Sequence, residues 1–188
     1  SISAALEVAS DELNSSVKDL LRDTSVFIYG TTRATNGIVE RKTARTAFIS
    51  TEGFPDTLLL KEGGKSETHN LRMEYPDPYI PRSLTFEVPE RISAEGGVET
   101  SLDEMKVTSL LKTFPEKGIE AIAVCLLWSV ANPVHEKLIA ALIEKILPGI
   151  PYTLSSDINP ILREYRRASS TAIDASLKPL MQEYLLTL

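Results

Sequence analysis

The chain has 188 residues, 43% of them hydrophobic and 24% charged, a composition that supports a folded core and excludes a disordered chain. A net charge of -6 and 6% scattered aromatics leave no basic footprint or stacking platform for nucleic acid, and no apolar run approaches membrane-span length. One cysteine, Cys125, excludes an internal disulfide framework and fits a reducing, cytoplasmic setting. The opening SISAALEVASDEL lacks an initiator Met and the pattern of a secretory signal, and it starts inside a helical repeat, as a piece of a longer chain would. Ile2, Ala5, Leu6, Val8, Ala9, Leu13, Val17 and Leu20-Leu21 recur at helical spacing and predict one opening helix. Residues 25–30, SVFIYG, predict a short buried strand ended by Gly30. Thr32 is placed to N-cap a short helix over 34–42, which Glu40-Arg41-Lys42 closes with mostly cationic charge. ARTAFIST is the next strand, so strand, helix and strand form a βαβ unit and predict a parallel sheet.

Residues 61–91 read as an excursion: KEGGKSETHN is a polar loop, YPDPYIPRS is proline-rich, and SLTFEVPERI favours extended structure. Ser101, with Glu104 three residues on, predicts a capping box for a helix over 102–114. IEAIAVCLLW is the most hydrophobic segment and predicts a central strand. NPVHEKLIAALIEKIL predicts a helix capped by Asn132 with Pro133 in its first position, and PYTLSSDI a further strand. Apolar positions 161, 165, 168, 172, 173, 177, 180, 184 and 188 predict a closing amphipathic helix disturbed at Pro179. The element order is that of an α/β protein.

Gly30-Thr31-Thr32 falls where a strand would meet a helix, a place where backbone N–H groups and the helix dipole receive anions; the alternative is a cap at Thr32 and a permissive turn at Gly30. Asn36-Gly37 disfavours a helix, which points to close packing against another backbone or to a ligand wall. Gly64-Lys65-Ser66 copies the end of a P-loop, but Leu59 stands where the loop needs glycine and no strand-to-helix context follows. His135 and Glu136 lie in a first helical turn without metal-ligand spacing and read as capping groups; Cys125 reads as inert core, and no metal site is expected. Glu164, Arg167, Thr171 and Asp174 share a helix face, either solvated and salt-bridged or bordering a cleft.

The chain resembles the N-terminal region of the hydantoinase A / 5-oxoprolinase family, which includes the ATP-dependent subunits of acetone and acetophenone carboxylases. The resemblance rests on Tyr29-Gly30-Thr31-Thr32-Arg33-Ala34-Thr35-Asn36, Glu40-Arg41-Lys42, Thr51-Glu52-Gly53-Phe54-Pro55-Asp56, PDPYIPRSLTFEVPERI, GIEAIAVCLLWSVANPVHE and LSSDINPILREYRRASSTAIDASLKP, in order over about residues 25–179. It implies one region over 1–188, a partial lobe of an acetate kinase/Hsp70/actin-like, ribonuclease H-like α/β fold with a mixed sheet and flanking helices. It further implies a cyclic-amide hydrolase of hydantoin or 5-oxoproline type, or a ketone carboxylase, using ATP and Mg2+ with a hydantoinase B-like second subunit or domain. The family's phosphate loops lie outside this stretch, so the segment is not expected to act alone. Gly30, Thr31, Thr32, Thr35, Asn36, Glu164, Arg167 and Thr171 are its expected substrate- or nucleotide-cleft residues; catalytic residues are not assigned. Tyr29 stands where the family typically has His, and a tyrosine does not titrate near neutrality. A non-catalytic scaffolding subunit that kept the fold is the alternative.

Overall fold

In the computed structural model, which describes residues 2–187 apart from 64–66, 68, 71 and 73, the chain opens with two helices, α1 (Ile2–Glu12) and α2 (Val17–Asp23). The single expected helix is interrupted where Asn14 adopts a left-handed backbone (φ 49°) and Ser16 caps α2, its Oγ accepting from Asp19 N–H at 3.1 Å. The apolar positions Val8, Leu13 and Leu21 reach no core and stay exposed.

No strand forms over 25–30. Val26, Phe27, Ile28 and Tyr29 have no regular secondary structure and expose 70, 56, 89 and 42% of their surface. A strand exists only through its ladder, and no described strand pairs with this segment, so its β-forming residues stand unpaired. The βαβ unit expected there is therefore not formed within the described residues.

Helix α3 (Arg33–Val39), strand β1 (Thr46–Thr51) and a short helix α4 (Thr57–Leu60) follow. Within the 61–91 excursion the Gly64-Lys65-Ser66 motif lies outside the described residues, and a 3-10 turn (Arg82–Leu84) leads into β2 (Thr85–Val88). β3 (Arg91–Ile92) pairs antiparallel with β4 (Val98–Thr100). Then come α5 (Glu104–Lys112), β5 (Ala121–Cys125), α6 (Val134–Ile146), β6 (Tyr152–Leu154), α7 (Ser155–Ile158) and α8 (Glu164–Leu186). The capping box is not used: α5 starts after Asp103, whose Oδ1 accepts from Lys106 N–H at 2.9 Å, the same i to i+3 capping two residues later. Asn132 Oδ1 does accept from Val134 N–H at 3.1 Å, although Pro133 holds the N-cap position and α6 begins one residue further on than expected. α8 passes through Pro179 as one helix of 23 residues.

Strands β2, β1, β5 and β6 form, in that order, a wholly parallel sheet with β1 and β5 inside and buried at every position. Side chains alternate across it. Cys125 lies close enough to Arg167 of α8 to feel its charge, so Ala121, Ala123 and Cys125 face α8, and the register places Phe48 and Ser50 of β1 on that side as well. Ala168, Ala172 and Ala175 of α8 are fully buried there, small residues on both partners bringing helix and sheet close. On the other face Ile49 and Val124 join Val107, Leu111, Ile139 and Ile143 of α5 and α6 in the same core.

Candidate functional site

The parallel sheet brings the C-terminal ends of its strands to one edge, where ligands collect in α/β proteins. A buried polar network closes that edge. Glu136, fully buried, accepts from Leu126 N–H (2.9 Å), Ser155 Oγ (2.6 Å) and Ser156 N–H (2.9 Å). Arg167, also fully buried, donates to Ser155 Oγ (3.1 Å), Ile161 C=O (3.0 Å) and Leu126 C=O (2.7 Å). A carboxylate and a guanidinium thus hold both polar groups of Leu126 and meet through one serine. Alongside, His135 Nδ1 lies 2.7 Å from Glu90 Oε2, and Thr51, hydrogen-bonded to Glu90, accepts from Leu127 N–H at 3.0 Å. His135 and Glu136 are therefore not caps of their own helix. The strand-end N–H groups need acceptors, and a buried carboxylate needs donors; the two requirements are met across elements. Burial pushes the Cys125 thiol up to about 11, the Arg167 charge partly opposing.

Beside this network opens a cleft of about 460 Å3, lined by Phe54, Lys61, Arg91, Trp128, Glu164 and Tyr165 among others. Lys61 and Trp128 have left-handed φ of 55° and 54°. Such conformations cost a non-glycine residue on the order of 1–3 kcal/mol and cluster at ligand sites. A second cleft, of about 340 Å3, lies at the far end of α8, where Thr31, Thr32, Arg33 and Asn36 face Leu180 and Tyr184. It exists because α3 lies directly on α8: a Cβ on Gly37 would stand 2.6 Å from Leu180 Cδ2. Close packing therefore does explain Asn36-Gly37, though the neighbour is a side chain rather than a backbone. Thr32 sits at the N-cap but makes no side-chain cap bond; Thr31 Oγ1 accepts from Arg33 N–H at 3.2 Å instead, which leaves the Thr32 hydroxyl to the cleft. Tyr29 hydrogen-bonds Tyr184 through the two hydroxyls, which raises its pKa, and the Arg33 guanidinium lies 5.1 Å from the centroid of the Tyr184 ring.

The expected cleft residues thus fall in three places. Thr31, Thr32 and Asn36 line the second cleft, and the exposed Gly30 and Thr35 flank it without lining it. Glu164 lines the first cleft. Tyr165 and Tyr184 are separated by roughly 28 Å of helix at 1.5 Å per residue, so the two clefts are distinct. Arg167 and Thr171 are interior residues, the Thr171 hydroxyl donating to Arg167 C=O at 2.7 Å, and Asp174 accepts from Thr153 Oγ1 at 2.6 Å. Arg167 and Thr171 on that face are packed into the interior, whereas Asp174 stays partly exposed and pairs with Lys178 at 3.3 Å. Glu90, Thr51 and Ser155 lie in segments that carry the family resemblance, but nothing in the sequence announced their roles, because each acquires its role from a partner on another element. Among the described residues no three His, Cys, Asp or Glu side chains are grouped to hold a metal ion, and no helix is long and apolar enough to cross a membrane.

A parallel α/β unit with a polar cleft at one end of α8 and a mixed polar and aromatic cleft at the other has the architecture of a ligand-handling class of protein. The chain belongs to the hydantoinase/oxoprolinase family, matching that family's N-terminal region over residues 1–147. It is 30% identical over 177 residues to caprolactamase subunit alpha of Pseudomonas jessenii, covering 93% of this chain and 25% of that protein. The crystal structure of the ATP-dependent caprolactamase from the same organism superimposes with a TM-score of 0.84 at 30% identity, over 99% of this chain and 27% of that one. The acetophenone carboxylase gamma subunit of Aromatoleum aromaticum is 33% identical over 191 residues, covering 95% of this chain and 26% of its own length. Yeast 5-oxoprolinase (Saccharomyces cerevisiae) is 31% identical over 182 residues, 83% of this chain and 14% of that protein. The chain spans about a quarter or less of the length of these relatives.

Proposed function

We propose that the protein works as part of an ATP-dependent enzyme that opens cyclic amides or carboxylates ketones, and that the cleft around Thr31, Thr32 and Asn36 faces the nucleotide. The observation that carries this reading is likeness to such enzymes along nearly the whole chain. The residues present fit part of a phosphate-bearing ligand: two threonine side chains, one amide and the Arg33 guanidinium line an open, polar cleft. Bound ATP, with Mg2+ held largely by its phosphates, would supply the phosphoryl group that activates an amide or enolate oxygen. Thr31, Thr32 and Asn36 would orient it, with Gly30 and Thr35 shaping the loop. Glu164, Arg167 and Thr171 do not line this cleft and enter the reading only through α8, which Arg167 ties to Leu126 at the end of β5 and which carries Leu180 and Tyr184 to the cleft. A hydantoinase B-like second subunit is the proposed partner, and the cytoplasm the proposed location.

Calorimetry of the full-length protein with ATP and Mg2+ tests the reading, and heat of binding is the expected result. No binding would leave a scaffolding subunit instead. Thr32→Val sharpens it. The Thr32 hydroxyl caps nothing, so the substitution is expected to change stability by less than about 0.5 kcal/mol while lowering turnover by roughly tenfold or more.

A further inference from the structure

The cleft at the sheet edge has features that the nucleotide reading does not use. Helix α8, 23 residues long, starts at its wall, and the N-cap residue Arg163 makes no side-chain cap bond, so the first-turn N–H groups are left open. A narrow cavity under the cleft shares Phe54, Thr57, Leu127 and Glu164 with it and is also lined by Ser50. Ser50 is 3% exposed, and its Oγ has no hydrogen-bond partner. A buried hydroxyl without a partner is uncommon and calls for a ligand or water.

The charges around the cleft are unevenly matched. Asp56 is neutralised by Arg82 at 3.3 Å. Arg91, whose guanidinium lies 5.3 Å from the Phe54 ring centroid, has no carboxylate partner among the described residues, and neither has Lys61. Glu164 has no basic partner among them. Phe54, Trp128 and Tyr165 supply apolar wall between these groups. About 460 Å3 suits a small molecule.

We propose that this cleft is a second ligand site, separate from the nucleotide cleft, and that it takes a small zwitterion of the amino-acid class. Arg91, Lys61 and the first-turn N–H groups of α8 receive the carboxylate, Glu164 receives the ammonium, and the aromatic wall covers the carbon skeleton. The unpartnered Ser50 hydroxyl lies in the cavity beneath, whose volume of about 10 Å3 has room for a single water and not for the ligand. The site shares no lining residue with the nucleotide cleft, so its test does not depend on ATP binding.

Calorimetry on the full-length protein without nucleotide, using free α-amino acids as probes and butyrate and butylamine as half-ligands, tests it. At least one amino acid is expected to bind at millimolar concentration or better. Arg91→Gln and Glu164→Gln are each expected to weaken that binding by about tenfold, and each half-ligand to bind correspondingly more weakly than the amino acid. Both substituted side chains lie at the cleft surface, and circular dichroism checks that the variants are folded. Absence of binding across the amino acids overturns the proposal, as does binding indifferent to both substitutions. Butyrate binding as tightly as the amino acids would show a simple anion site and overturn it equally.

Discussion

Two side chains, Glu136 and Arg167, hold the peptide groups of Leu126 and meet through Ser155, and their chemistry sets the largest single-residue sensitivity among the described residues. Arg167 and Glu136 are charged, wholly buried and satisfied only through each other's neighbours, Ser155 above all. Arg167→Ala would strand the Leu126 and Ile161 carbonyls and leave Glu136 an uncompensated buried charge. A loss of about 3–5 kcal/mol is expected in chemical denaturation. Arg167→Met, which keeps volume but not donors, should remain strongly destabilising; a near-neutral result would mean the network is dispensable. Cys125 lies next to this network, its thiol pushed up to about 11 from 9.0 by burial. Between those values the unfolded chain releases a proton that the native one keeps, so this group lowers stability as pH rises through that window and has no effect below it. At pH 8 the native thiol is expected to resist a thiol-specific reagent until denaturant is added.

At the scale of elements, the contact of α3 with α8 decides whether the cleft around Thr31, Thr32 and Asn36 exists. Gly37 is the point of closest approach, with Leu180 Cδ2 at 2.6 Å and Leu177 Cδ2 at 3.7 Å from where a Cβ would stand. The end of Leu180 can move for one methyl group. It cannot move enough for a branched side chain flanked by both leucines. Gly37→Val is expected to cost about 1–3 kcal/mol by overpacking and to push α3 off α8, with ATP affinity falling alongside stability. Gly37→Ala should be much milder, since helix propensity offsets part of the crowding. Pro179 lies in α8 without ending it. In the same helix Ser176 anchors the chain on either side of β1: its C=O accepts from Ala44 N–H at 2.9 Å and its Oγ lies 2.7 Å from Tyr79 Oη.

At the scale of the whole molecule, the core and the first thirty residues differ in kind. The core of the described residues from β1 onward is organised around one parallel sheet, with β3 and β4 a separate antiparallel pair, whereas Val8, Leu13, Leu21 and residues 26–29 present apolar side chains to solvent. Unpaired β-forming segments of this type adhere to each other. The 188-residue chain by itself is therefore expected to bind a hydrophobic dye and to self-associate in gel filtration, and Ile28→Lys to reduce both. An unchanged elution volume with no dye signal would show that this surface is less adhesive than its composition implies.

Local patterns in the sequence determined α3, α5, α6 and α8, the inner position of β5 and the family, because each follows from spacing along the chain or from short contiguous motifs; the sheet is parallel as expected but not through the expected βαβ unit, and the opening holds two helices where spacing predicted one. The Gly30-Thr31-Thr32 loop was legible for the same reason, and two of its residues do line a cleft. Only the tertiary structure decided the rest. Residues 25–30 form no strand, since a strand needs a partner that propensity cannot supply. Arg167 left the expected cleft for the interior because the Leu126 carbonyl at the sheet edge needs a donor, and Thr171 is buried one turn on with its hydroxyl turned back to Arg167 C=O. The cleft that joins Phe54, Arg91, Trp128 and Glu164 gathers residues from distant parts of the chain, with Lys61 and Trp128 in backbone conformations that no side-chain preference would announce.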